Sequence, residues 1–256
     1  MRLEEVRAIV TGGARGLGKC FALSLAAAGA RVMAGDIDRA GLRQLKGEAE
    51  GLPGALAVAG LDVAEEESVA QFFAAADAHL EGGNVLLNNA GILRDGRLAS
   101  GEGTEVARYP TVQWQKVLDV NLYGPFLMAR EFVARALERG TRPAVVVNIS
   151  SLARVGNAGQ GSYSASKAAL DAATRTWALE LGGAGIRVAG VAPGVIDTPI
   201  LEGISEEAME KLLAAIPLGR IGRPEEVWQA VRFVLECDFF TGRIVEVDGG
   251  AAMGGV

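Results

Sequence analysis

The chain predicts an α/β fold: one doubly wound, mainly parallel seven-stranded sheet with helices on both faces. Three observations point to it. Seven short β-rich runs alternate with longer helical stretches. Ala144-Val-Val-Val147 is apolar throughout, as expected of a strand covered on both faces. A glycine-rich turn separates the first run from the first helical stretch.

Taken in order, Val6–Thr11 reads as the first strand, followed by the turn and a helix to about Ala28. Arg31–Asp36 is the second strand and Ala55–Leu61 the third. Val85–Asn88, Ala144–Asn148 and Ile186–Val191 follow, each after a helical segment, and Arg243–Val247 closes the series. No linker or repeat interrupts the pattern, so residues 1–256 read as a single domain. Two connections stand out. Arg94–Pro110, rich in glycine and charge, is long for an α/β link and reads as either a functional loop or a disordered insertion. Residues 198–217 contain a helical pattern, Ser205–Ala215, with Ser205 as N-cap. It reads as either a lid closing Leu201, Met209 and Leu212 over a substrate or a fixed surface helix.

Composition excludes several classes of function. Half of the 256 residues are hydrophobic, and 35 glycines against 8 prolines suit a compact domain with many tight turns. A net charge of −6 and the lack of a basic run argue against a nucleic-acid surface. No uncharged stretch is long enough for a membrane span, and Met1–Val6 is acidic where a signal peptide is apolar. Cys20 and Cys237 form no CxxC motif and are expected as buried thiols in a reducing, cytoplasmic compartment. His79 is the single histidine, expected solvated at a helix C-terminus. With no His/Cys cluster, no metal site is expected, and a Ser-His-Asp triad is disfavoured.

The turn itself, Thr11-Gly-Gly-Ala-Arg-Gly-Leu-Gly18, carries chemistry. Gly12, Gly16 and Gly18 let the backbone turn tightly and approach a pyrophosphate, which the helix N-terminal amides then receive. Asp36 ends the next strand, eighteen residues past Gly18, where a carboxylate takes the ribose hydroxyls of an adenosine. It also repels a 2′-phosphate, whereas Arg15 and Arg39 would pair with one. The carboxylate decides the expectation: NAD is favoured over NADP.

Tyr163-Ser-Ala-Ser-Lys167 places a phenol and an ammonium on one helix face. The ordinary phenol pKa, about 10, is too high for a base near neutrality, and a neighbouring cation favours the phenolate. Ser150 stands thirteen residues before Tyr163.

These residues together resemble the short-chain dehydrogenases/reductases. The resemblance runs from Val6 to about Gly250 and adds Leu61-Asp62-Val63, Asn88-Asn-Ala-Gly91, Asn121, Pro193-Gly194 with Thr198, and Val247-Asp-Gly-Gly250. It implies a Rossmann fold and hydride transfer between a secondary alcohol or ketone and a nicotinamide cofactor. Tyr163 would be the general acid/base, with Lys167 lowering its pKa and holding the nicotinamide ribose. Ser150, preferred to Ser151 on spacing, would bind the substrate oxygen, and Asn121 would anchor a water leading to Lys167. The cofactor would lie on Gly12, Arg15, Gly16, Leu17 and Gly18, with Asp36 and Ile37 at the adenosine ribose. Asp62 and Val63 would face the adenine, and Asn89, Ala90 and Gly91 would line the groove. Pro193, Gly194, Val195, Ile196 and Thr198 would cover the nicotinamide.

The resemblance also implies a homotetramer built on the helices around Thr111–Glu138 and Tyr163–Leu181. Two features, the length of Arg94–Pro110 and the short Leu235–Gly242 segment, look like family members acting on 3-hydroxyacyl-CoA. A 3-hydroxyacyl or 3-oxoacyl thioester is therefore the alternative to a simple alcohol or ketone. A non-catalytic dinucleotide-binding scaffold is the reading from another class.

Overall fold

The computed structural model describes residues 1–201 and 205–251, the side chain of Ile200 excepted. The first half contains β1 (Arg7–Thr11), α1 (Gly16–Ala27), β2 (Arg31–Asp36), α2 (Arg39–Glu48), β3 (Ala55–Gly60), α3 (Glu66–Leu80) and β4 (Val85–Asn88). A two-residue ribbon, β5 (Ala99–Ser100) and β6 (Ala107–Arg108), precedes α4 (Thr111–Leu118) and α5 (Gly124–Arg139). Then come β7 (Ala144–Ile149), α6 (Gly161–Leu181), β8 (Ile186–Pro193), α7 (Glu206–Ala214), α8 (Pro224–Glu236) and β9 (Ile244–Val247). The seven β-rich runs become the seven strands of one sheet, with no end moved by more than two residues.

The sheet order is β3-β2-β1-β4-β7-β8-β9, and every pairing in it is parallel. From β1 the chain winds outward to β3, then returns to the other side of β1 at β4. The winding reverses between β1 and β4, and an open parallel sheet leaves a crevice at the carboxyl ends of such a pair.

Strand alternation divides the core into two layers. Ala8, Val10, Val145 and Val147 pack with Phe21, Leu25, Leu42 and Val231 of α1, α2 and α8. Ile9, Leu86, Ala144 and Val146 turn the other way, onto Phe72, Phe73, Leu127 and Phe132 of α3 and α5. Fully burying each large aliphatic or aromatic side chain contributes roughly 1.5–3 kcal/mol. Both faces thus give the strand ends a rigid base.

The ribbon was not expected. Two-residue strands carry no periodicity, but they fold the Arg94–Pro110 insertion back on itself. Tyr109 donates from its hydroxyl to the Arg94 carbonyl at 2.7 Å, and Gly96 donates to the Gly159 carbonyl at 2.8 Å. The insertion is therefore docked at the start of α6.

Candidate active site

The first half of the site is built at the switch point. Gly12 (φ 66) and Gly16 (φ 54) hold backbone angles that disfavour any side chain. A carbon added at Gly18 would collide with the Gly12 carbonyl and sit 2.6 Å from the Asn89 amide nitrogen, so α1 packs directly on the turn. The ends of β1 and β4 are laced together. Thr11 Oγ1 accepts from the backbone N–H groups of Asn89 and Ala90, each at 3.0 Å. Asn89 Nδ2 donates to the carbonyls of Thr11 (2.9 Å) and Gly12 (3.2 Å).

Asp36 closes the adenosine side. Its Oδ2 accepts from Ala14 N at 3.0 Å and its Oδ1 from Asp38 N at 2.9 Å. Ile37 beside it is 73% exposed. Arg15, at the N-cap of α1, gives no side-chain cap, so the helix presents its first amides free of internal acceptors. The glycine cradle, the uncapped amides and the carboxylate at the next strand end fit a dinucleotide. Gly12, Gly16, Gly18 and Asp36 are the residues that would hold it.

The other expected cofactor residues differ in where their side chains go. Val63 is buried against Gly124, where an added carbon would lie 2.7 Å from Val63 Cγ2. Asp62 remains exposed, with Oδ1 accepting from Ala64 N at 3.0 Å. Ile196 is likewise turned into the core and is 6% exposed. Pro193 ends β8, and Gly194 donates to Val247 O at 2.9 Å. Thr198 lies over the glycine turn, since a carbon added at Gly16 would touch it at 3.6 Å.

The second half is built on α6. Tyr163 and Lys167 share a helix face, with Lys167 Nζ 5.7 Å from the centre of the phenol ring. Lys167 is 4% exposed and donates to the Ile149 carbonyl at 2.7 Å. Burial draws its ammonium down to about 8. Asn121 sits in a wide π turn over Asp119–Tyr123 between α4 and α5. Its amide clasps Ile92, accepting from N at 2.8 Å and donating to O at 2.9 Å. A carbon at Gly91 would lie 3.5 Å from Asn121 Oδ1 and 3.6 Å from Lys167 Nζ, so the three positions converge.

Two expectations need correction here. Lys167 does not bring the phenol down in the protein alone. Burial raises the Tyr163 pKa, Ser151 opposes the rise and Asp95 adds to it. Nor is Ser150 the hydroxyl beside Tyr163. Ser150 N still donates to Val191 O at 2.7 Å, extending the β7–β8 ladder by one rung. Side chains 146, 148 and 150 therefore point to one face. There Asn148 donates to Thr174 Oγ1 at 2.8 Å, and buried Ser150 Oγ, without a well-formed hydrogen bond, has the Asp171 carboxyl as its near neighbour. Ser151 follows the end of the strand, caps the next turn by accepting from Ala153 N at 3.1 Å, and lies within reach of the phenol. Counting thirteen residues leads to the serine that faces Asp171 and not Tyr163, because the count does not mark where the strand ends.

His79 is half-buried at the last turn of α3, with Nε2 buried and unpartnered, rather than solvated. Cys20 and Cys237 are half-buried free thiols rather than fully buried ones. Among the described residues no helix is long and apolar enough to cross a membrane. The site also includes groups to which the resemblance gave no role. Asn88 Nδ2 donates to Asn148 Oδ1 at 2.9 Å, extending a buried polar ladder from β4 through β7 to Thr174. Tyr109 of the insertion reaches Ser162 at 3.2 Å, one residue before the phenol.

A family model described as Enoyl-(Acyl carrier protein) reductase matches residues 12–252. The chain belongs to the short-chain dehydrogenase/reductase family. It is 41% identical over 253 residues to the 3-oxoacyl-[acyl-carrier-protein] reductase FabG of Thermotoga maritima, covering 98% of this chain and 99% of that one. It is 35% identical to the human (3R)-3-hydroxyacyl-CoA dehydrogenase, covering 98% and 97% respectively. A solved short-chain type dehydrogenase/reductase from Mycobacterium marinum superposes with a TM-score of 0.88 at 28% identity, covering 96% and 94%. This short-chain dehydrogenase/reductase is therefore an oxidoreductase that works with a nicotinamide dinucleotide. The scaffold reading falls away.

Proposed function

We propose that the protein interconverts a 3-hydroxyacyl and a 3-oxoacyl thioester, with Tyr163 as general acid/base and NAD as the preferred cofactor. The observation that carries the thioester is the groove at the mouth of the site. It encloses about 440 Å³ and is lined by Arg94, Arg97, Arg108, Asp95 and Tyr109. It adjoins Tyr163 through the Tyr109–Ser162 contact and through Asp95. Three guanidinium groups beside an oxidoreductase centre suit a substrate with an anionic phosphate handle. A small neutral ketone has no use for them. The relatives named for acyl-carrier-protein and CoA substrates support the same reading.

The division of labour follows from the residues. When bound, on Gly12, Gly16, Gly18 and Asp36, a nicotinamide dinucleotide would supply the hydride acceptor for oxidation of the carbinol carbon and the hydride donor for reduction of the carbonyl carbon. In oxidation the Tyr163 phenolate takes the hydroxyl proton. In reduction the Tyr163 phenol returns it to the carbonyl oxygen. Ser151 holds that oxygen beside the phenol. Below its lowered pKa Lys167 supplies a positive charge beside the ring and a donor for the nicotinamide ribose, and Asn121 braces the Ile92 peptide.

Asp36 supports NAD, because a 2′-phosphate would meet a carboxylate already held by two backbone amides. A panel of 3-oxoacyl-CoA, 3-oxoacyl-acyl-carrier-protein and plain ketones, each with NADH and NADPH, tests the proposal. The expected result is a preference for thioesters and for NADH. Equal kcat/KM for a plain ketone would defeat the thioester reading, and preference for NADPH would defeat the cofactor choice.

Two further assignments stand with this proposal. No residue of α7 is buried, which supports a lid over 198–217, of which residues 202–204 lie outside the described residues. Hydrogen exchange across the segment should slow on cofactor binding, and equal protection would leave a fixed helix. Phe126 of α5 and Leu179 of α6 are exposed at 41% and 87%, which supports a homotetramer built on those helices. Light scattering at the monomer mass would refute it. A cytoplasmic setting accords with two free thiols.

A further inference from the structure

The charges behind Lys167 take no part in proton transfer at Tyr163, yet they are built with care. Asp171 lies one helical turn beyond Lys167 on the same face of α6, its side chain 4% exposed. Its Oδ2 forms an ion pair with Arg154, 2.9 Å from Nε, while Oδ1 is buried with no hydrogen-bond partner. Arg154, itself 13% exposed, also donates from Nη1 to the Ser151 carbonyl at 3.2 Å and pairs with Glu246 on β9. One guanidinium thus ties together the peptide of the serine beside Tyr163, the carboxylate below Lys167 and the last strand of the sheet.

A buried ammonium is unfavourable unless a counter-charge accompanies it. The hydrogen bond that Lys167 makes to the Ile149 carbonyl is to a neutral group. We propose that Asp171, clamped by Arg154, is a positioning residue that supplies the counter-charge for the Lys167 ammonium, while the same clamp fixes the Ser151 peptide. Tyr163 and Asp171 face the ammonium from α6 and the Ile149 carbonyl from β7, while Gly91 lies beside both the ammonium and the Asn121 carbonyl oxygen of the π turn. Arg154, Arg175 and Ser150 face the carboxylate, Glu246 faces Arg154, and Asp95 faces Tyr163. Burial lowers the lysine pKa to about 8, and Asp171 is the group that opposes the fall. Removing that carboxylate lets the pKa drop further, so the ammonium loses its proton at lower pH.

The inference rests on Tyr163 and Lys167 being the proton-transfer pair. Its test is a titration of the Lys167 side chain by carbon NMR, assigned by the signal missing in Lys167→Met, run beside the pH–rate profile. In Asp171→Asn the lysine titration and the basic limb of the profile should both move to lower pH, by on the order of one unit. Asp171→Glu should restore much of the shift. A uniform loss of rate with both pH values unmoved would make Asp171 merely structural and overturn the proposal. Should Asp171→Asn not fold, the wild-type protein decides, because the Asp171 carboxyl signal should respond at the pH where Lys167 titrates. A carboxyl signal flat through that range would overturn it too. Activity retained in Tyr163→Phe would instead remove the underlying assignment while leaving the Lys167–Asp171 coupling measurable.

Discussion

The two halves of the site are made of different material. At the ends of β1 and β4 the working parts are backbone: glycine angles, free amides and carbonyls tied by Thr11 and Asn89. At the end of β7 and on α6 they are ionisable side chains: half-buried Tyr163 and buried Lys167 and Asp171. The first half depends on backbone geometry, with no room for an added carbon at Gly12 or Gly18. The second tolerates small changes of shape but not of charge. A backbone site fails by sterics and a side-chain site by electrostatics, so each half calls for a different kind of substitution.

The largest effect is expected at Tyr163. Tyr163→Phe keeps the ring and deletes the proton carrier, so kcat should fall by about a hundredfold to ten-thousandfold. Cofactor affinity, belonging to the other half, should change little. Fluorescence titration with NADH alongside steady-state rates measures both. Activity within a few-fold of wild type would remove Tyr163 from the mechanism.

The adjacent serines come next, because they separate a motif count from a fold. Ser151→Ala should lower kcat by roughly ten- to a hundredfold through loss of a donor to the reacting oxygen. Ser150→Ala should act mainly on stability, since its hydroxyl faces Asp171 from the end of the β7 ladder. If the two rates came out in the opposite order, Ser150 would regain the role that spacing gave it.

Most of what was legible in the sequence belongs to the backbone half, and the reason is physical. Positive φ and close approach leave glycine as the practical choice at Gly12 and Gly16, so the chemistry is written in residue type. The seven strands were legible because continuous apolar runs report burial on both faces. Side-chain direction is written less directly. Ser150 and Ser151 differ only in whether the strand has ended, and Val63 and Ile196 sit in cofactor positions while sending their side chains to the core. The two-residue ribbon has too few residues to show a period. Asp171 was the missed signal most open to recovery, four residues past Lys167 on one helix face in an otherwise apolar stretch.

The backbone half is tested by one added carbon. In Gly18→Ala the new carbon meets the Gly12 carbonyl and the Asn89 amide, so turn and helix must move apart. Overpacking of this kind costs about 1–3 kcal/mol of stability, read as a lower Tm, and should weaken cofactor binding while leaving the pH dependence of the rate in place. A variant with wild-type Tm and cofactor affinity would show that the turn is not held as tightly as its contacts imply.

The smallest effect joins the insertion to the side-chain half. Asp95 raises the Tyr163 pKa, on top of the larger contribution of burial. In alcohol oxidation the phenolate is the active form, so rate rises with pH along a limb set by that pKa. Asp95→Asn removes a negative charge that disfavours the phenolate. The phenol then ionises at lower pH, and the limb should move toward acid. Asp95 is largely exposed, so water screens its charge and the shift should stay below about one pH unit. Although the residue is exposed, partial desolvation of its carboxyl also holds it above the usual range, with Gln160 opposing. The effect should therefore fade at the acid end of the profile, where Asp95 gains its proton in the wild type. A limb moving toward base would mean that the charge of Asp95 is not what Tyr163 senses, and that the insertion acts on the phenol only through its packing against Ser162.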